Sequence, residues 1–366
     1  MPSLQMHFNG RLASVSAMHP PHPTSQSEPD PAIVDFVKNN GLIGLEEMPV
    51  FSALTGGVSS DIWLVSTGRT NICIKRALPL LRVAAEWHAP IERNLYEAAW
   101  FREVGRFLGD SVPKILCEDK KRAMFAMEYL PPGDFKNWKT ELAAGAVDRR
   151  IAALVGSRLS LIHGHTAGSD ALRRLFSTDD IFRAIRIEPY LLATATAHPD
   201  LSSRLRLLAE QTESHKLALV HGDVSPKNIL IGPAGPVFID AECAWFGDPA
   251  FDLCFCLNHL LLKSTIVPEK VVELTEAFRA MTEAYLQNVS WEDATVFERR
   301  AAALLPGLFL ARVDGKSPVE YIKDDRARNM VRATARRFLA DAPVERLTDI
   351  AEAWAAAVES DQGAGR

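Results

Sequence analysis

One short segment narrows the folds open to this chain more than any other: Val220-His221-Gly222-Asp223-Val224-Ser225-Pro226-Lys227-Asn228-Ile229-Leu230. Asp223 and Asn228 stand five positions apart, in a loop between two apolar runs. A further oxygen ligand closes the next apolar run, Val237-Phe238-Ile239-Asp240. Each of these residues alone reads as a solvated turn residue. The ordered set fits phosphoryl transfer, which demands strict positioning and little covalent chemistry from the protein. One carboxylate orients the attacking hydroxyl and accepts its proton, which suits Asp223. Further oxygens hold the metal ions that bridge the phosphates, which suits the amide oxygen of Asn228 and the carboxylate of Asp240.

The pattern around this segment predicts two unequal lobes in an α+β fold. A short helix from Pro31 ends near Gly41, a good residue to close it. Strands follow at 51–54, 62–65 and 72–74, parted by turns at Gly56-Gly57 and Thr67-Gly68-Arg69. A helix over 86–108 and strands at 114–117 and 124–127 complete a small β-rich lobe over 31–130. Pro131-Pro132-Gly133 breaks the pattern and marks a hinge. A larger, mainly helical lobe is expected over 131–360, with helices at 137–163, 178–192, 201–215, 251–263, 269–287, 294–311 and from 318 onward. Short strands at 217–220, 229–231 and 237–239 interrupt it. Arg312, Asp314 and Lys316 are expected in a loop between two of its helices, where Arg312 and Asp314 would line an acceptor pocket if they are more than a solvated connector.

Composition excludes several classes. A net charge of -5, with no run of lysine and arginine, gives no nucleic-acid footprint. The longest apolar stretch, 253–262, is too short to span a bilayer and contains Asn258 and His259, so no membrane partner is expected. The five cysteines form no C-x-x-C pair and read as reduced, buried thiols, which places the chain in the cytoplasm. Residues 1–30, rich in Pro, Ser and His, read as a disordered tail without the apolar core of a signal peptide. His163 and His165 flank Gly164 without helical metal spacing and read as a polar helix end.

Two more acids follow Asp240. Asp248-Pro249 fits a helix start, with Asp248 as its cap. Asp252 lies among Phe251, Leu253, Phe255 and Leu257, where an unpaired carboxylate is costly. A buried acid there would accept backbone N–H groups of the catalytic loop and hold it rigid.

His-Gly-Asp…Asn, Ile-Asp and Gly-Asp-Pro…Asp-Leu together resemble the aminoglycoside phosphotransferase family. That family shares the protein-kinase-like fold with choline, homoserine and methylthioribose kinases. The resemblance implies that Asp223 is the catalytic base and that Asn228 and Asp240 bind Mg2+. His221 would shape the loop rather than carry a proton. Glu242 replaces the glycine of the protein-kinase Asp-Phe-Gly, and related small-molecule kinases often carry an acid there, near metal or substrate.

On the nucleotide side, Gly56, Gly57, Ser59 and Ser60 sit between two strands, where backbone N–H groups and hydroxyls can meet phosphates. The stretch resembles the shorter phosphate loop of small-molecule kinases. Lys75 ends an apolar strand and is the candidate for the ATP phosphates. Its acidic partner is expected to be Glu97, which falls near the apolar face of Trp100, Phe101, Val104 and Leu108, with Glu92 and then Glu86 as alternatives. Glu128 and Leu130 precede the hinge, where backbone pairs with adenine in this fold. The function expected is ATP-dependent transfer of a phosphoryl group to a small-molecule hydroxyl. A protein kinase is the second reading, opposed by Gly222 in place of arginine and by the short stretch between Asp240 and Gly247. A non-catalytic nucleotide-binding module is the third. The sequence names neither the acceptor nor the oligomeric state.

Overall fold

The computed structural model describes residues 28–44, 46–54, 60–78, 90–340 and 344–363. Helix α1 (Pro31–Asn39) begins where the Asp30 carboxylate accepts the Ala32 N–H at 2.8 Å, with proline at the first helical position. It ends ahead of Gly41, whose φ of +62° suits glycine. Strands β1 (Val50–Ala53), β2 (Ser60–Ser66) and β3 (Asn71–Ala77) follow. After α2 (Arg93–Gly105), β4 (Ile115–Asp119) and β5 (Met124–Glu128) complete an antiparallel sheet of order β1-β2-β3-β5-β4.

Alternation along β3 decides what each face of this sheet does. Ile72 and Ile74 point with Trp63, Val65, Met124 and Ala126 toward Ile33, Phe36 and Val37 of α1. The intervening Lys75, paired in register with Phe125, points to the other face, where α2 packs Phe101 edge-on to Phe125 at 6.4 Å. Asn94 fixes α2 in place by donating to the carbonyls of Lys75 and Ala123, at 3.2 and 2.7 Å.

The larger lobe begins with β6 (Lys136–Asn137). The single helix expected over 137–163 is instead two, α3 (Trp138–Ala143) and α4 (Arg149–Thr166), because Gly145 takes φ +77° and ends the first. His163 and His165 lie in the last turn of α4, the helix end expected of them. Next come α5 (Asp170–Leu175) and α6 (Asp179–Phe182). Residues Arg183–Leu192 then form a π-helical stretch around Pro189, which has no N–H for a regular helical bond. Helices α7 (Ala193–Ala197) and α8 (Ser202–Ser214) lead to β7 (Ala218–Val220), β8 (Ile229–Gly232), β9 (Gly235–Phe238) and β10 (Trp245–Gly247). β8 pairs with β6 and β9, while β7 pairs with β10, a strand not anticipated from sequence. Pairing of β7 with β10 and of β8 with β9 clamps the loop 221–228 at both ends.

Helix α9 (Pro249–Leu262) is buried over its whole length and forms the axis of this lobe. Around it stand α10 (Val271–Leu286), α11 (Ala294–Asp314), α12 (Asp325–Ala340) and α13 (Leu347–Gly363). Gly156 lets α4 touch α10: a Cβ there would lie 2.3 Å from the Met281 carbonyl oxygen. The loop expected to hold Arg312 and Asp314 is the last turn of α11, whose apolar face continues through Phe309, Leu310 and Ala311. Among the described residues no helix is long and apolar enough to cross a membrane.

Candidate active site

The site is built outward from the start of α9. Asp248 caps that helix, accepting the Ala250 N–H at 3.0 Å, and is held by Arg300 at 2.9 Å. One turn on, Asp252 is fully buried. Its Oδ2 accepts the His221 N–H at 2.7 Å and its Oδ1 accepts the Gly222 N–H at 2.8 Å. His163 of α4 meets the same carboxylate at 3.2 Å and is itself fixed by the Tyr285 hydroxyl at 2.7 Å. Gly222 takes φ +77°, and a Cβ on it would stand 2.4 Å from the Cys243 carbonyl oxygen, so no arginine fits here.

His221 ties the loop to the next strand. Its Nδ1 accepts the Asp223 N–H at 3.2 Å, which leaves Nε2–H to donate to the Ile239 carbonyl at 3.1 Å. Burial, opposed by Asp252 and Asp223, holds its pKa below the usual value, and both bonds use the neutral ring. The Ile239 N–H in turn donates to the Asn228 carbonyl at 2.9 Å. Asp240 follows with φ +66°, a conformation that costs a non-glycine residue energy and is kept where the surroundings over-determine it.

Asp223 is 6% exposed. Its Oδ2 accepts from the Asn228 Nδ2 at 2.8 Å, and the same oxygen lies 2.9 Å from the Arg186 guanidinium and 3.8 Å from the Lys227 ammonium. Oδ1 takes no hydrogen bond from a described residue and is available to an incoming hydroxyl. Because Asn228 turns its amide nitrogen to Asp223, its amide oxygen points away and is available to a cation.

Across the cleft, the Lys75 ammonium lies 2.6 Å from Glu97 and also contacts Asp240. Burial opposes the charge on Lys75, but Asp240 and Glu97 outweigh it and raise its pKa. Burial pushes Glu97 upward, with Lys75 pulling it back. Burial also opposes the charge on Asp240, yet Lys75 and Lys227 draw its pKa down. Of the alternatives to Glu97, Glu92 precedes α2 without a capping bond, and Glu86 lies outside the described residues. Glu242 pairs with the buried Arg93 at 3.1 Å, which sets it on the nucleotide side beside Asp240.

Gly56, Gly57 and Ser59 lie outside the described residues. Ser60 is buried, and its hydroxyl has no partner among the described residues. Glu128 ends β5 at the surface, with its N–H on the Lys114 carbonyl at 2.9 Å, and Leu130 is half-buried just beyond. Arg312 is buried and donates to the Tyr190 hydroxyl at 3.0 Å. Asp314 is not brought to this cluster: Arg332 at 2.7 Å and His198 at 2.9 Å engage it.

Sequence reasoning missed Arg186. It lies in the π-helical stretch, nearly buried, and its Nε donates to the Gly222 carbonyl at 2.6 Å. Burial opposes its charge, but Asp223 outweighs it and raises the pKa. The available signal was an arginine between two isoleucines, Ile185 and Ile187, one turn before a proline.

Among the described residues no three His, Cys, Asp or Glu side chains cluster to hold a metal. Asp240 and Asn228 offer two oxygens, a donor set that suits Mg2+ completed by phosphates and water rather than a closed protein cage. A family model described as the phosphotransferase enzyme family matches residues 50–287. The chain belongs to that family. This chain is 27% identical to the methylthioribose kinase of Erwinia tasmaniensis over 235 residues, 56% of this chain and 57% of that protein. The methylthioribose kinase of Pectobacterium carotovorum is also 27% identical, over 55% of this chain and 56% of its own length. The chain thus spans a little over half the length of these curated relatives. An amicoumacin kinase solved with AMP-PNP, Ca2+ and Ami superposes with a TM-score of 0.50 and 14% identity, over 88% of this chain and 97% of that one. The fold is the two-lobed, protein-kinase-like α+β fold.

Proposed function

We propose that this phosphotransferase moves the γ-phosphate of ATP to a hydroxyl group of a small-molecule acceptor. The observation that carries the reading is the meeting of two sets across one cleft: Lys75 with Glu97 and Asp240 on one side, and Asp223 with Asn228 on the other. Lys75 contacts the phosphates, and Ser60 borders them. The backbone around Glu128 and Leu130 receives the adenine. A magnesium ion held by Asp240 and Asn228, with Glu242 nearby, would neutralise phosphate oxygens.

Asp223 orients the acceptor hydroxyl and takes its proton as the acceptor oxygen bonds to the γ-phosphorus. The bond from that phosphorus to the bridging oxygen breaks, and ADP leaves. Asp252 and His221 hold the loop, so this carboxylate is in position before the acceptor arrives. The reading also places the protein in the cytoplasm, in keeping with five free cysteines.

The test is ADP release with Mg2+ and ATP across aminoglycosides, choline, sugars, sugar phosphates, hydroxy acids and nucleosides, with Asp223→Asn as the blank. Turnover that vanishes in the variant supports the reading. A variant that turns over its acceptor at the wild-type rate refutes the role of Asp223.

A further inference from the structure

The acceptor side of Asp223 carries an excess of positive charge that the phosphoryl-transfer machinery does not use. Phe255 and His259 lie along one face of α9, and Lys263, the first residue after the helix, continues their spacing. Phe255 packs under the Arg186 guanidinium, 5.6 Å from its ring centre, and Arg186 pairs with Asp223. His259 comes next. Burial, and then Arg312, Lys263, Lys227 and Lys139, hold its pKa well below the usual value, so it is neutral. Its Nδ1 lies 3.5 Å from the Tyr321 hydroxyl.

Lys263 ends the row. It is 1% exposed, yet no described residue gives its ammonium an ion pair or hydrogen bond. Its one neighbour of note is the face of Tyr321, 4.0 Å away. Arg312 is 8% exposed; its Nη1 donates to the Tyr190 hydroxyl and to Ser317, and its Nε is buried without a partner among the described residues. Tyr190 lies between Arg312 and Arg186, with their guanidinium carbons 5.4 and 5.7 Å from its ring centre. Glu320 acts on Lys263 from a distance and is itself engaged by Lys139. A buried ammonium with no direct ion pair or hydrogen bond is costly.

We propose that the acceptor alcohol carries an oxyanion, carboxylate or phosphate, held by Lys263 and Arg312 while its hydroxyl faces Asp223. This rests on the phosphotransfer reading above and names the acceptor class. Eight helical positions separate Phe255, beside Arg186, from Lys263, a rise of about 12 Å. The hydroxyl and the anion therefore stand at opposite ends of an acceptor several bonds long. A polycationic antibiotic or a quaternary amine would meet like charge along this row.

Matched acceptors provide the test: ribose against ribose 5-phosphate, glucose against gluconate, and choline and kanamycin as cations. ADP release is measured with Mg2+ and ATP. The phosphate pair and the carboxylate pair distinguish the two oxyanions. The expected result is a kcat/KM at least tenfold higher for one or both anionic members than for their neutral partners. Lys263→Met should raise KM for the preferred anion at least tenfold, while Lys263→Arg restores most of it. Arg312→Gln is the second variant should Lys263→Met fail to fold. Preference for a neutral or cationic acceptor, or an unchanged KM in folded Lys263→Met and Arg312→Gln, overturns the proposal.

Calorimetric binding of ribose 5-phosphate and gluconate, with AMP-PNP and Mg2+ present, separates the two levels. Binding that needs Lys263, without turnover of any acceptor, sustains the anion site and refutes phosphotransfer. Turnover of neutral or cationic acceptors, without anion binding, sustains phosphotransfer and refutes the anion site.

Discussion

Asp252 offers a direct test of how the catalytic loop is held. Its two oxygens accept the His221 and Gly222 N–H groups at 2.7 and 2.8 Å, in a site without solvent exposure. Each is a hydrogen bond to a charged group and contributes about 1.5–3 kcal/mol. In Asp252→Asn the one amide oxygen keeps one donor, while the amide nitrogen faces the other N–H. One charge-assisted bond is lost and one buried donor goes unsatisfied, for a net loss of about 2–4 kcal/mol. For a cooperative unit the size of the larger lobe, about 2–4 °C follows each kcal/mol, so Tm should fall by about 6–12 °C for a loss of ~3 kcal/mol. Scanning calorimetry reads the shift. Steady-state kinetics should show kcat falling more than KM for ATP, because the loop carries Asp223 and not the adenine site. His163→Phe removes the 3.2 Å contact to Asp252 and the 2.7 Å bond to the Tyr285 hydroxyl but leaves both loop N–H bonds to Asp252, so kcat should fall less than in Asp252→Asn. A Tm for Asp252→Asn within about 1 °C of wild type would show that the loop is held by its flanking strands instead.

The remaining expectations can be measured on the same protein. Asp240→Ala should abolish the Mg2+ dependence of ATP binding in calorimetry, and unchanged Mg·ATP affinity would remove Asp240 from the metal site. Glu97→Leu leaves Lys75 buried with Asp240 as its remaining partner and should cost about 1–3 kcal/mol of stability. In Lys75→Met/Glu97→Leu part of that loss should return, giving a coupling energy that a double-mutant cycle resolves. Arg186→Met should lower kcat about tenfold or more, equivalent to at least ~1.4 kcal/mol of transition-state positioning, with little change in KM for ATP. Lys263 is pushed down to about 8, by burial first and Lys139 second, with Glu320 opposing. Its charged form binds the anion, so kcat/KM for an anionic acceptor should fall as pH rises through about 8 and stay level for a neutral one. A Lys263→Arg enzyme, whose guanidinium does not titrate there, should shift that decline upward.

How much of this was legible in the sequence depended on the range over which each residue acts. Strands β1 to β5 and most helices follow from local periodicity, because alternation and helical spacing are set by neighbours a few positions away. Lys75 and Glu97 were open to the same reasoning, since a charged residue on an apolar face needs a partner. Asp252 could be singled out because one acid stands in a run of Phe and Leu. What escaped was non-local. β10 is three residues, Trp245–Gly247, and exists only because β7 lies beside it. The last turn of α11 looked like a loop because Arg312, Asp314 and Lys316 follow closely, yet its buried face carries the helix onward. Gly145 ends α3 through a backbone conformation that apolar spacing does not register. Arg186 reaches Asp223 across thirty-seven positions through a π-helical stretch, and Lys263 is buried against Tyr321, fifty-eight positions on.

The two sides of Asp223 carry opposite charge, and the net charge of -5 hides this. Toward the nucleotide, Glu97, Asp240 and Glu242 face Lys75 and Arg93, an excess of one negative charge that a divalent cation would reverse. Toward the acceptor, Arg186, Lys227, Arg312, Lys263 and Lys139 face Asp223 and Glu320, an excess of three positive charges. Lys75, Arg93, Glu97, Arg186, Lys263 and Arg312 are buried, so their charges act more strongly than they would at the surface, while Lys227, Lys139 and Glu320 are open to water. Asp223 sits at the boundary. Its catalytic use requires the hydroxyl to arrive from the positive side while the phosphoryl group arrives from the metal side. An acceptor that is itself anionic satisfies that polarity, because its own charge draws it to the far end of the α9 row and leaves its hydroxyl at Asp223. Reversing the row, with Lys263→Glu, should therefore discriminate more sharply than neutralising it. Anionic acceptors would be repelled and cationic ones admitted, and an enzyme whose acceptor preference did not move under that reversal would show that the row does not select substrate.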